Sequence, residues 1–256
     1  MRFGIVKYVF RDIISNKLVI GYTLLLAIIG WSVFLLDDNV SKGMLSILNV
    51  ILLVVPLVAI IFTTTYVYNS SEFIYVLLSQ PIKRKRIWAG IFAGLSLAFV
   101  LSFLVSFGIP ILVYSPNLLG VMMIVVGCLI SLIFIALAML CASLVRDKAK
   151  GIGMAIMFWL FFALVYDGLM LFLVFQFGDY RIEQAMVFLN MLNPVGLGRI
   201  LILLQMDVSA LMGYSGAVFK KFLGTGAGIA VSFLMLVLWI LVPYLISLYR
   251  FNKKDQ

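Results

Sequence analysis

Asp167, in the run 160-LFFALVYDGLMLFLVF-175, is the one ionisable side chain set deep in an otherwise apolar stretch. A charge at the centre of a bilayer costs about 2.5–3.5 kcal/mol on insertion scales, so a carboxylate placed there is either functional or paired. Arg181 and Arg199 are the cations it could meet, and both readings stand at this point. The thirteen methionines are a second chemical resource, since thioether sulfur is a soft ligand for Cu(I). Met186, Met191 and Met206 fall in one connection, but no M-x-x-M-x-x-M run occurs and core packing accounts better for them. Histidine is absent, which removes His-based metal sites and general bases. Cys128 and Cys141 share one apolar run and read as small buried hydrophobes, with no disulfide framework or metal-ligand spacing. No G-x-x-x-x-G-K-[ST] phosphate loop occurs, so the chain is not expected to hydrolyse ATP itself. No catalytic residue, metal site or bound cofactor is expected.

The elements that must position these groups are membrane helices. The chain is 65% hydrophobic and 11% charged, with a mean hydropathy of +1.22. Soluble domains average about 25% charged residues. Six apolar runs, at about 18–36, 46–68, 88–114, 118–145, 151–177 and 225–249, are each long enough to cross a core of about 30 Å. The fold class is therefore an all-α integral membrane protein of six spans. Pro56 and Pro110 are expected to kink the second and third. Gly90-x-x-x-Gly94 and Gly224-x-x-x-Gly228 would allow close helix approach. Ahead of the first span, Phe3, Val6, Phe10 and Ile13 recur at helical spacing with Lys7 and Arg11 on another face, which predicts an interfacial helix. The polar lead Met1 to Lys17 is too long for a cleaved signal peptide and no A-x-A site follows, so the first span is expected to stay as an anchor.

Charge then orients the chain. One side of the six-span scheme collects Arg2, Lys7, Arg11 and Lys17, then Lys83 to Arg86, then Arg146, Lys148 and Lys150, and finally Arg250, Lys253 and Lys254. The other side holds only Lys42, Arg181, Arg199, Lys220 and Lys221. The basic side is expected to be cytoplasmic, with both termini there. The net charge of +9 thus has a topological explanation, and no aromatic-interleaved basic surface suggests nucleic acid.

Within that frame, 72-EFIYVLLSQPIKRKRIWAG-90 holds a short amphipathic segment followed by a basic run. Asn69-Ser70-Ser71-Glu72 has capping-box spacing, which predicts a helix start there, with Phe73, Val76 and Leu77 on its apolar face. Gln80-Pro81 ends it. The basic run would face lipid phosphates or a protein partner. On the opposite side, the long connection at about 178–224 contains 182-IEQAMVFLNML-192 and 198-GRILILLQM-206, separated by Asn193-Pro194, and reads as short helices packed on the membrane surface.

The pattern Glu72-x4-Leu77-Leu78-Ser79-Gln80-Pro81, then the basic run and Gly90, resembles the coupling helix of ABC-2 type transporter permeases. The span count, the N-terminal helix and the long outer connection are similar too, so the likeness covers nearly the whole chain as one transmembrane domain, residues 1–256. That resemblance implies a bacterial inner-membrane permease subunit that pairs with a second copy. Separate ATPase subunits would use the ATP. Glu72, Phe73, Leu77, Gln80, Pro81, Lys83, Arg84, Lys85 and Arg86 would receive them. The stretch 192-LNPVGLGRILILLQMDVSALMGYSGAVF-219 is similar to the membrane subunits of nitrous-oxide reductase maturation transporters, which share an Asn-Pro, an Arg, an Asp and a Ser-Ala-x-x-Gly-Tyr run. This implies service to assembly of a copper–sulfur centre, with an extracytoplasmic partner docking at Asn193, Pro194, Arg199 and Asp207. Arg199 precedes Asp207 by eight residues, about two helical turns, so a continuous helix would put both near one face. The alternatives are an ABC-2 exporter of lipid or drug, and a non-transporting membrane scaffold for a periplasmic protein. No residue set specifies copper, a sulfur species or an organic cargo.

Overall fold

The computed structural model describes residues 4–36, 39–177, 183–206 and 224–253, and among these it contains helices and no strand. In chain order they are α1 (Gly4–Ile14), α2 (Lys17–Leu36), α3 (Val40–Asn69), α4 (Ser71–Leu78), α5 (Arg84–Tyr114), α6 (Leu118–Leu144), α7 (Lys148–Phe177), α8 (Glu183–Met191), α9 (Pro194–Gln205) and α10 (Gly226–Lys253). Six of them, α2, α3, α5, α6, α7 and α10, are long and apolar enough to cross a membrane. These are the six expected spans. Their starts move earlier where a cap or a basic turn extends the helix. Asn39 accepts from the Ser41 amide at 3.0 Å and begins α3 six residues ahead of its apolar run. Lys83 is the residue before α5, so Arg84, Lys85 and Arg86 form its first turn instead of a loop. Cations at a helix N-terminus oppose its dipole by roughly 0.3–1 kcal/mol each. Lys85 and Arg86 are exposed, where solvent screens that cost.

α6 is the hub. Its faces meet α3, α5, α7, α9 and α10, and Ile130, Ile133, Phe134 and Met139 are fully buried. The Phe103 ring of α5 lies over Gly127, where an added Cβ would come within 2.2 Å of the ring, so only glycine admits this packing. The prolines are accommodated differently from one another. α3 runs through buried Pro56, and Trp159 of α7 donates to the Leu53 carbonyl at 3.0 Å just before it. α5 widens into a π turn at Leu104–Gly108 ahead of Pro110, which gives the ring room against the preceding carbonyls.

The N-terminal helix α1 is docked on protein. Val9 and Ile13 are fully buried, with Ile5 packed one turn earlier, so the inward face is the i, i+4, i+8 row. Val6 and Phe10 sit at its margin, and Phe3 lies outside the described residues. Its seat is the glycine pair of α5: a Cβ at Gly90 would meet Ile5 Cγ2 at 2.8 Å, and one at Gly94 would meet Val9 Cγ1 at 2.6 Å. Gly90-x-x-x-Gly94 therefore receives α1 and not another span. The start of α5 is in turn bound to the end of α10. Trp88 Nε1 donates to Ser247 Oγ at 2.9 Å, and the Trp88 and Phe251 rings stack at 4.3 Å. These contacts gather α1, α4, the start of α5 and the end of α10 at one end of the bundle, with Lys7, Arg11, Lys83, Lys85, Arg86, Arg146, Lys148, Lys150, Arg250 and Lys253 exposed around it.

Candidate functional site

Two places concentrate the polar groups: α4 at the basic end, and a corner between α8 and α9 inside the bundle. α4 leaves α3 through Ser70 alone. The Ser70 amide still donates to the Tyr66 carbonyl at 2.9 Å, and Ile74 donates back to the Ser70 carbonyl at 2.9 Å. The expected capping box does not form. Ser70 is the capping residue but its side chain bonds no amide of α4, while Asn69 accepts from Lys148 Nζ at 2.7 Å. Asn69 is still the last residue of α3 and its side chain is taken up by Lys148, so it does not serve as the cap of α4. Glu72 is exposed in the first turn, where a carboxylate favours the dipole.

The faces of α4 are also redistributed. Ile74 and Leu77 are buried, and Phe73 is half-buried with its ring stacked on Tyr8 of α1 at 4.7 Å. Val76 points outward, 58% exposed, beside Tyr75 at 67%. The exposed stripe is thus Glu72, Tyr75, Val76, Ser79 and Gln80, continued by Pro81, Lys83, Lys85 and Arg86. Of the expected coupling residues, Phe73 and Leu77 hold the helix down and Arg84 is half-buried. Tyr75 and Val76 complete the outer face, and their i, i+3, i+4 spacing from Glu72 was the available signal.

The corner begins with a defect in α7. A π turn at Phe161–Val165 sends the Tyr166 amide back to the Phe161 carbonyl. The Phe162 carbonyl accepts instead from Asn193 Nδ2 at 3.1 Å. Asn193 is fully buried, and its Oδ1 accepts from the Val195 amide at 3.0 Å, capping α9 with Pro194 in the first turn. Tyr166 donates to the Leu189 carbonyl at 2.6 Å and Trp239 Nε1 to the Met191 carbonyl at 3.3 Å. An Asn-Pro break in the chain is thereby supplied with partners from two spans, as a buried break requires. Asp167, one residue past Tyr166, forms an ion pair with Arg199 of α9, each side chain about a third exposed.

This placement overturns the surface-lying reading of the connection. α8 and α9 meet at 113°, and α9 buries Pro194 to Gly198 and Ile200 to Ile202. Gly198 lies against Val126 and Ile130 of α6 and Leu52 of α3. Phe162 and Trp239 lie about 20 Å along their helices from the ends that face away from the basic end. The corner therefore sits near the middle of the bundle, and α8 and α9 form a re-entrant pair. Glycines at 196 and 198 permit that approach: a Cβ at Gly196 would meet Asn190 Oδ1 at 2.9 Å. The expected docking set divides accordingly. Asn193 and Pro194 are interior, Arg199 is engaged by Asp167, and Asp207 lies outside the described residues, as does Arg181, the other cation considered for Asp167.

Six spans, a short helix hung from the second and a re-entrant pair before the sixth define a multi-pass membrane subunit. The family described as ABC-2 family transporter protein matches residues 39–256, and the chain belongs to it. It is accordingly an ABC-2 permease subunit of an ABC transporter. Among curated proteins it is similar to the probable ABC transporter permease protein NosY of Stutzerimonas stutzeri, 24% identical over 267 residues that cover 95% of each chain. It is similar as well to the protein of the same name in Pseudomonas aeruginosa, 27% identical over 187 residues and 68% of each chain.

Proposed function

We propose that this subunit couples ATP hydrolysis by separate ATPase subunits to conformational or transport work in assembly of the copper–sulfur centre of nitrous-oxide reductase. The observation that carries the coupling part is the exposed stripe Glu72, Tyr75, Val76, Ser79 and Gln80, standing beside the basic first turn of α5. In this reading the basic end is cytoplasmic, both termini lie there, and the protein sits in the bacterial inner membrane as one of two copies. ATP is used by the partner subunits, and this chain holds no cofactor.

Mechanically, an ATPase pressing on α4 meets three linked elements. α4 is continuous with α3 through Ser70, and Tyr8 ties it to α1, which is keyed into α5 at Gly90 and Gly94. The start of α5 holds the end of α10 through Trp88 and Ser247. Two turns up α10, Trp239 grips the corner at Met191. Displacement at the basic end therefore reaches α8 and α9, on the side where an extracytoplasmic partner would rest. The maturation role draws its support from the likeness to the two permeases named above and from the Asn193-Pro194, Arg199 and Asp207 pattern.

Affinity purification of the tagged chain from native membranes tests the coupling. An ABC ATPase should co-purify, and should be lost with Tyr75→Ala/Gln80→Ala. Purification without any ATPase sinks the reading. For the maturation role, a strain lacking the chain should make nitrous-oxide reductase without its copper–sulfur centre. A fully assembled enzyme in that strain would favour the export of lipid or drug instead.

A further inference from the structure

Two adjoining cavities open at the basic end. One, of about 370 Å³, lies under α4 and has Arg84 and Arg146 as its charged lining residues, with Tyr75, Trp88 and Phe251 around them. The other, of about 450 Å³, shares Ser143 and Arg146 with the first and adds Leu144, Tyr249, Arg250 and Lys253. Among the described residues, no carboxylate lines either cavity. Asp147, next to Arg146 in the chain, is turned to the start of α7, where it accepts from the Lys150 amide at 2.8 Å. Lys253 is steadied by Tyr249, donating to its hydroxyl at 3.2 Å.

The cavities do not end in water alone. From Tyr249 toward the middle of the bundle, α10 exposes Leu245, Val242, Leu241 and Leu238, an apolar row at helical spacing. The eleven steps from Tyr249 to Leu238 span about 16 Å, one leaflet of a core about 30 Å thick. A cationic recess flanked by Trp and Tyr at headgroup level and continued by an apolar track matches one molecule in both its parts. We propose that the cavities form a binding site for an anionic glycerophospholipid. Arg146 and Arg250 hold its phosphate, and its acyl chains lie along the α10 row. Guanidinium groups suit a phosphodiester because their forked donors match two of its oxygens at once. A soluble phosphate would have no use for the row, and a protein surface would not need to enter a recess between helices. The proposal is independent of the maturation role.

Native mass spectrometry of the purified full chain provides the test, with phosphatidylglycerol and phosphatidylcholine of identical acyl chains as probes. The wild type should retain phosphatidylglycerol selectively. Each cation removed should weaken retention about fivefold, so Arg146→Gln/Arg250→Gln should weaken it about 25-fold. Arg146→Lys/Arg250→Lys should recover much of it, and Lys150→Gln, outside both cavities, should match the wild type. Equal retention of the two lipids, or undiminished retention by the double Gln variant, overturns the proposal. So does displacement of the lipid by millimolar glycerol phosphate, which would assign the site to free phosphate. Loss of the lipid on binding a partner ATPase overturns it as well, by giving the cavities to a protein interface.

Discussion

Asn193 reaches across from the start of α9 to the backbone carbonyl of Phe162 in α7, 31 positions earlier, at 3.1 Å. The same side chain caps its own helix through Val195, so one amide closes two backbone gaps in the interior. Asn193→Ala should remove both. Loss of a cap costs about 0.5–2 kcal/mol, and a buried carbonyl left without a donor about 1–3 kcal/mol. Thermal unfolding in detergent should register the sum. Asn193→Asp keeps the cap but sets a carboxylate against the Phe162 carbonyl, and should unfold below the Ala variant. Equal stability of wild type and Ala variant would remove Asn193 from this role.

Asp167 and Arg199 should behave as a pair. With each side chain about a third exposed, their coupling belongs between the values for surface and buried pairs, about 1–2 kcal/mol. A double-mutant cycle with Asp167→Asn and Arg199→Gln measures it. Both single variants should be less stable than additivity predicts from the double, because each leaves one charge uncompensated inside the bundle. A coupling near zero would return Asp167 to the list of candidates for direct function.

On α4 the two faces should separate cleanly. Leu77→Ala opens space in the bundle and should lower stability by about 2–3 kcal/mol. Tyr75→Ala, Val76→Ala and Gln80→Ala touch an exposed face, so they should unfold like the wild type yet weaken ATPase retention. Charge reversal at Lys83, Lys85 and Arg86 together with Glu72→Ala should do the same. If Leu77→Ala alone disturbs ATPase retention while the exposed variants do not, the docking surface is elsewhere.

Gly94→Leu should expel α1, since even a Cβ there would come within 2.7 Å of Val9 Cβ. Gly153 has nothing within 4 Å of such an atom, so Gly153→Leu serves as the control. Cysteines replacing Tyr8 and Phe73 should cross-link readily in the control background and fail to do so beside Gly94→Leu. Equal cross-linking would show that α1 has another seat.

The sidedness proposed for the bundle can be checked with Lys85→Cys and Lys42→Cys, both at exposed positions on opposite sides of the scheme. A membrane-impermeant thiol reagent should label the second from outside intact cells and the first only after permeabilisation. Labelling of both from outside would reverse or break the six-span topology.

The spans were readable because lipid-length apolar runs admit few other solutions, and α4 was readable because Gln80-Pro81 stops a helix wherever it lies. The capping box misled because its letters do not reveal that Ser70 is a joint, its amide bonded back to Tyr66 of α3 and its carbonyl accepting from Ile74 of α4. The corner was unreadable for a deeper reason. 182-IEQAMVFLNML-192 and 198-GRILILLQM-206 have the same periodicity whether they lie on a surface or enter a bundle. What decides is a free carbonyl at Phe162, a backbone atom made available by a π turn, which no side-chain pattern announces. The Asp167–Arg199 pair was one of two pairings open from sequence, and the re-entrant path of α9 selected it.

The single-residue joint at Ser70 fixes what kind of force α4 can transmit. The Ser70 amide is bonded back to Tyr66 and the Ser70 carbonyl accepts from Ile74, so one residue ties α4 to α3 from both sides. If α4, about 12 Å long, were pushed sideways as a docked ATPase would push it, it would act as a short arm on α3, about 45 Å long. Leu52 of α3 lies against Gly198 of α9, so a turn of α3 about its axis would be felt at α9 along one helix, without passing through α5 or α10.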